Sequence, residues 1–304
     1  MSESLELQQG SEQAGELLLA LDTSSASMTA ALLKGRELVA ERLLHAERNH
    51  SIRLLPLIEE MLHTAGAKPA DLGALATGVG PGSYTGVRIG VTVAKTMAWA
   101  QQLPVAGISS LATLALGALL PEGEEAPLVS AVDARKGLIW VVPLFGARRG
   151  QAYTALFQIG EEGIPMEGIY PGANAPVAYA SAWESGLGWQ MSRTQADSIR
   201  LAADWLEQLA SWEEEKEPPE RPSQVVFVGE TAEFLPLLEE YAERRGGSTL
   251  IREGHLRGYA TGLLAVPMLE AKATEDPHLL LPNYTQLSEA EAKLLARRRE
   301  GASS

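Results

Sequence analysis

Cysteine is absent from all 304 residues, which excludes disulfides, thiolate nucleophiles and thiolate-bound zinc or iron–sulfur centres. Basic residues are in deficit: 25 Lys and Arg stand against 39 Asp and Glu, a formal net charge of −14. Nucleic-acid backbones are bound chiefly by exchanging their counterions for Lys and Arg. A chain this acidic therefore needs another molecule to hold any RNA it serves. No apolar run approaches the roughly 20 residues of a bilayer crossing, and residues 1–16 have neither the basic start nor the apolar core of a secretory signal. No membrane role is expected, and the expected setting is the cytoplasm. Histidines are few and scattered; His45 and His50 stand five apart across a strand-to-helix connection, whereas a helical metal pair stands three or four apart. No metal is expected.

What is present is the composition of an ordinary globular protein, 45% hydrophobic and 21% charged, with length enough for two modest domains. Short apolar runs at 17–22, 28–34 and 37–44 read as strands, the last two joined at Gly35. The period then changes. Residues 51–64 predict a helix, 73–79 a strand, 84–102 a helix and 104–108 a strand, with Ser109 capping a helix to about residue 120. A three-strand meander followed by alternating helices and strands demands a mixed sheet covered on both faces. That order belongs to a ribonuclease-H-like domain, the unit duplicated in the actin, Hsp70 and sugar-kinase fold.

A second half is expected from strands at 128–133, 138–145 and 152–159, then a strand at 225–229 and a helix near 232–243. Residues 160–200 show no sustained period, and 211–222 (SWEEEKEPPERP) read as a charged, proline-broken loop. A late helix from Gly258 to Thr274 is expected to return to the first domain. The expected organisation is a disordered extension over 1–15, a first domain over 16–112 completed by 258–287, a longer second domain over 113–257, and a charged tail over 288–304.

Four stretches carry a family resemblance: Ala20-Leu21-Asp22-Thr23-Ser24; Arg48-Asn49-His50-Ser51 before Leu54-Leu55-Pro56; the run from Ala74 to Lys95 containing ATGVGPGSYTGVRIGVTVAK; and Asp133-Ala134-Arg135. Together they closely resemble the bacterial TsaB family, also called YeaZ, densely in the first half of the chain and sparsely beyond. The resemblance implies the two-domain actin and Hsp70-type fold and a scaffold role without catalytic residues of its own. It also implies pairing with a related catalytic subunit, TsaD, joined by the small ATPase TsaE. The catalytic subunit transfers a threonylcarbamoyl group to an adenosine beside the tRNA anticodon. The family's usual Pro-x-Tyr-Leu-Arg ending is altered here, with Thr285-Gln286 following Pro282-Asn283-Tyr284.

The residues themselves leave two questions open. Asp22, Thr23, Ser24, Gly80, Gly82, Ser83, Arg88 and Asp133 are the candidates for a nucleotide or partner loop, in which the Gly80–Ser83 turn with Arg88 could take an anion at a helix N-terminus; equally, the glycines could form only a tight strand-to-helix turn. Asp22 and Asp133 are expected at the ends of corresponding strands. The polar turn after Asp22 lacks the glycine that brings phosphates to the backbone. No cofactor is expected of the chain alone, and ATP or ADP only at a junction with partners. The alternative is a self-sufficient ATP-dependent kinase or acyl-transfer enzyme of this fold. In the first long helix Leu54, Leu57, Ile58 and Met61 belong to an apolar arc of roughly 160°, against about 100° for one core-facing stripe. In the next, Gly86, Val87, Gly90, Val91, Ala94 and Ala98 offer small and apolar surface. These ten residues are the expected interface to a TsaD-like protein, or to a second copy in a homodimer, unless the rest of the chain covers them.

Overall fold

The computed structural model describes residues 16–45, 50–120, 137–161, 182–184, 189–217 and 220–285. Its first sheet takes the order β3-β2-β1-β4-β5, built from β1 (Leu17–Asp22), β2 (Ser27–Lys34), β3 (Glu37–His45), β4 (Leu72–Gly78) and β5 (Val105–Ile108). β1, β2 and β3 form the antiparallel meander; β4 and β5 join in parallel. The buried-strand reading of LLLALD is met directly, since Leu18 to Asp22 are all buried.

The second sheet has the order β11-β10-β6-β7-β9-β8. Its strands are β6 (Ile139–Gly146), β7 (Gln151–Glu161), β8 (Ala182–Glu184), β9 (Trp189–Leu201), β10 (Gln224–Gly229) and β11 (Ser248–Glu253). Leaving aside the edge strand β8, this order repeats that of the first sheet, with β6 in the place of β1. The expected strand at 128–133 lies outside the described residues. Residues 160–200, which show no sustained period, supply most of β9, a thirteen-residue strand. Two register shifts against β7, near Leu156, break its alternation, and with it the period-two signal.

Helices stack in three layers around the sheets. On the outer face of the first sheet lie α1 (His50–Thr64) and α2 (Tyr84–Gln101). Between the sheets lie α3 (Ser110–Gly117) and α6 (Gly258–Glu270). On the outer face of the second sheet lie α4 (Ala202–Glu214) and α5 (Leu235–Arg245). Ser109 caps α3, its hydroxyl accepting from the Ala112 N–H at 3.2 Å. α6 packs on the first sheet's strands and on α3. It is apolar nearly all round because it is covered nearly all round.

Two helical expectations are corrected. Residues 211–214 belong to α4 rather than to a loop. The reason is Glu213, a charged residue buried on that helix, whose carboxylate accepts from Arg245 Nε at 2.8 and 3.0 Å and from the Tyr241 hydroxyl at 3.3 Å. The helix from Gly258 stops at Glu270, because Lys272 turns left-handed at φ 54° and Asp276-Pro277 follows. The chain then runs on as an irregular strap. The strap is tied to the first sheet by Glu275 N–H to Val105 O at 3.0 Å and Asn283 N–H to Val79 O at 2.7 Å.

Candidate functional site

The site expected from sequence sits where β1 ends. Asp22 is fully buried; one carboxylate oxygen accepts from the Ser24 N–H at 2.9 Å, and the other has no well-formed hydrogen bond among the described residues. Gly78, at the end of the adjacent strand, leaves no room beside it: a Cβ there would stand 1.9 Å from Asp22 Oδ2. Burial pushes the Asp22 carboxyl above the ordinary carboxylate range, and the neighbouring Ser24 and Ser110 hydroxyls with the main-chain N–H groups temper the shift without reversing it. This environment favours a neutral acid packed in protein.

The sign of that shift gives a measurable consequence. With its folded pKa raised, wild-type Asp22 carries no ionisation penalty below the unfolded value of about 3.9, and loses stability as pH rises through the folded value. Asp22→Asn removes this dependence. Its stability relative to wild type should climb as pH rises above about 4, the ordinary carboxylate value, read from urea midpoints; parallel profiles would show that folding leaves the Asp22 pKa unshifted.

The glycine loop is filled by the chain itself. Ser83 N–H donates to Ser24 O at 2.7 Å. Thr23 Oγ1 donates to Gly86 O at 2.7 Å and accepts from the Gly90 N–H at 3.1 Å. Ser83 caps α2, its hydroxyl accepting from the Gly86 N–H at 3.3 Å. Thus Asp22, Thr23, Ser24, Gly80, Gly82 and Ser83 do come together, as one interlocked pair of loops. Arg88 is engaged at the edge: its Nε donates to the Tyr284 hydroxyl at 2.9 Å, and its guanidinium lies 3.8 Å over the Tyr84 ring. Asp133 lies outside the described residues, and β6, in the place of β1, ends Leu144-Phe145-Gly146 without an acid.

The ten residues expected at a partner interface are placed differently. Leu54, Leu57, Ile58, Met61, Gly86, Val87, Gly90, Val91, Ala94 and Ala98 are all buried within the chain, beneath α1 and α2 against the first sheet. The surplus arc is real but is used twice, once on the sheet and once helix against helix. What stays open is the outer face: Ile52 is 67% and Leu55 49% exposed on α1, while Ile89, Val93 and Met97 are half-buried on α2 and Trp99 is 64% exposed.

One junction was not legible beforehand. Asp197 on β9 accepts from Ser109 Oγ at 2.7 Å and from Asn283 Nδ2 at 3.3 Å, with Arg193 at 3.3 Å. It joins the second sheet, the cap of α3 and the C-terminal strap. Burial raises its pKa, and Arg193 and the two hydrogen bonds pull it back. A small cleft beside it is lined by Ile108, Ser109, Ala112, Phe157, Arg193, Leu264 and Met268. Ser109 gave a sequence signal as a helix cap and Asn283 as part of the Pro282-Asn283-Tyr284 run, but neither pointed to Asp197.

Two repeated mixed sheets enclosing a helical layer, with the β1 acid enclosed in protein, define a member of the actin, Hsp70 and sugar-kinase class. Comparisons refine this. A family model described as "TsaD: tRNA N6-adenosine threonylcarbamoyltransferase" matches residues 44–251. The tRNA threonylcarbamoyladenosine biosynthesis protein TsaB of Bacillus subtilis is 32% identical over 91% of this chain and 96% of its own length. That of Haemophilus influenzae is 42% identical over 57% of this chain and 72% of its own. A solved structure titled "YeaZ from Pseudomonas aeruginosa" aligns with 88% of this chain and 99% of its own, at TM-score 0.58 and 21% identity, which supports the fold. The transferase model and the TsaB relatives point to different subunit types, and the near end-to-end match decides between them. The chain belongs to the TsaB family.

Proposed function

We propose that this chain is a non-catalytic subunit of the assembly that attaches a threonylcarbamoyl group to an adenosine beside the tRNA anticodon. The near end-to-end likeness to TsaB carries this reading. The surface chemistry agrees with it. A net charge of −14 opposes direct tRNA binding, so the tRNA is held by a partner. The loops where a nucleotide would need access are occupied by each other. No described helix is long and apolar enough to cross a membrane, and the reaction belongs where tRNA is, in the cytoplasm.

The partner is a TsaD-like catalytic subunit, docked on the outer face of α1 and α2, where Ile52, Leu55 and Trp99 lie exposed. A homodimer through the same face is its resting alternative. A TsaE-like ATPase adds to the pair near Tyr84 and Arg88, and ATP or ADP is held only at such a junction. In calorimetric titration the isolated chain should be silent to Mg-ATP, and the modified nucleoside should form only when the TsaD-like and TsaE-like proteins are supplied with it. Micromolar Mg-ATP binding by the chain alone would favour the kinase or acyl-transfer reading instead.

Ile52→Glu with Leu55→Glu tests the docking face. Substitutions on exposed helix positions change stability by only about 0.5 kcal/mol, so the double variant should melt like wild type. Its affinity for the TsaD-like subunit should fall more than about tenfold, a loss of ~1.4 kcal/mol or greater. Unchanged affinity would move the interface elsewhere.

A further inference from the structure

The spacing that argues against a metal compares His45 with His50. The fold instead sets His45 against His255. His45 closes β3, and His255 lies in the connection between β11 and α6. Their ring centroids are 5.2 Å apart and their planes meet at 80°. Two imidazoles sharing one tetrahedral ion, at nitrogen–metal distances of about 2.1 Å, place their centroids roughly 5 Å apart.

The support behind each ring is independent of that distance. Ser27 and His45 are register partners across β2 and β3. The buried Ser27 hydroxyl meets His45 Nδ1 at 2.6 Å. That bond engages one ring nitrogen and leaves Nε2 available, as the outer-shell hydrogen bond of a metal-bound histidine does. His255 is held from the chain that follows it. Leu256 is buried; Arg257 pairs with Glu41 at 2.9 Å; Gly258 N–H donates to Thr29 Oγ1 at 2.8 Å and Tyr259 N–H to Glu41 Oε1 at 3.0 Å. Glu41, His45, Ser27 and Thr29 share one face of the meander, so these bonds fix the connection directly over His45. Both rings remain exposed to solvent, which leaves the outer positions of an ion open to water.

We infer that His45 and His255 form a two-imidazole site for a divalent first-row metal ion of the zinc class, completed by water. Imidazole donors select zinc, copper and nickel over magnesium and calcium. Among the described residues no group of three or more His, Cys, Asp or Glu gathers, so the site is a weak, open one rather than a closed structural centre. Its effect would be to clip β3 to the entry of α6.

The test is Zn2+ titration of the full-length chain by calorimetry and thermal melting. Wild type should bind one equivalent saturably, and Zn2+ should raise its Tm, because an ion bound only to the folded state stabilises it. His45→Ala and His255→Ala should each weaken binding at least tenfold and abolish the Tm shift; both residues are exposed, and circular dichroism checks their folding. Ser27→Ala should weaken binding about tenfold through loss of the orienting bond. His63→Ala, on an exposed ring at the end of α1, should bind as wild type. Absence of a saturable site, or wild-type binding by His255→Ala or His255→Gln, overturns the inference. An equal loss in His63→Ala does so too, by revealing scattered surface binding.

Discussion

Ala94→Trp is expected to unfold the first half of the chain. Ala94 has no exposed surface and lies in the cluster formed by α1, α2 and the first sheet, with Leu19, Leu21, Leu54 and Met61. Inserting extra methylenes into a packed core typically costs about 1–3 kcal/mol, and an indole in place of a methyl group adds far more than a few of them. A loss above about 4–5 kcal/mol, the range in which single substitutions become exceptional, is comparable with the whole stability of a domain, about 5–15 kcal/mol. Urea unfolding followed by circular dichroism reads this as a collapse of the midpoint. Ala100→Trp, on an exposed position of the same helix, should shift stability by only about 0.5 kcal/mol. An unchanged midpoint for Ala94→Trp would return the small-residue ridge to the surface, and with it the interface first read there.

The contrast between Ala94 and Ile52 shows what a sequence can and cannot reveal about α1 and α2. Periodicity located both helices within a residue of their ends, because capping at Ser83 and the apolar repeat are local signals. It also showed that they carry more apolar surface than one stripe requires. It could not say which side of the arc meets the sheet, since that depends on the crossover from β4 to β5, not on the helix. The most regular apolar positions proved to be core, and the less regular Ile52, Leu55 and Trp99 were left outside. The first sheet was legible because its strands are short, buried and bounded by polar turns. β9 and β11 were not: β9 alternates irregularly across two register shifts, and β11 (STLIRE) is a half-exposed edge strand with little apolar content. The Asp197 junction draws on residues from β9, the α3 cap and the strap, separated by 88 and 86 positions, and no local pattern connects them.

Gly86→Ala is the substitution that separates the two readings of the glycine loop. In an unencumbered helix interior, alanine gains about 0.5–1 kcal/mol over glycine, so a phosphate-binding loop would survive the change with its fold strengthened and its ligand displaced. Here the added Cβ would stand 2.1 Å from the Thr23 carbonyl oxygen, with Ser83 Cβ and Oγ at 3.2 Å. That oxygen is main chain and cannot swing aside. Its neighbours are pinned as well: Thr23 Oγ1 holds Gly86 O and the Gly90 N–H, and Ser24 O holds the Ser83 N–H. To admit the methyl group, α2 must lift from the β1–β2 loop. That adds lost buried hydrogen bonds, about 1 kcal/mol each, to an overpacking cost of about 1–3 kcal/mol, so a net destabilisation of about 3 kcal/mol is expected, read as a lower urea midpoint. Affinity for a TsaD-like subunit should fall with it, because the outer face of α2 is held in place by the inner face that has moved. A stabilised Gly86→Ala variant would mean that the space beside Thr23 is open, and a ligand would again be needed to explain why glycine stands there. The property that makes such a loop resemble a phosphate cradle is the close approach that glycine permits. In this chain the group that approaches is the protein's own backbone, which turns a would-be binding loop into the joint that sets the angle of α2.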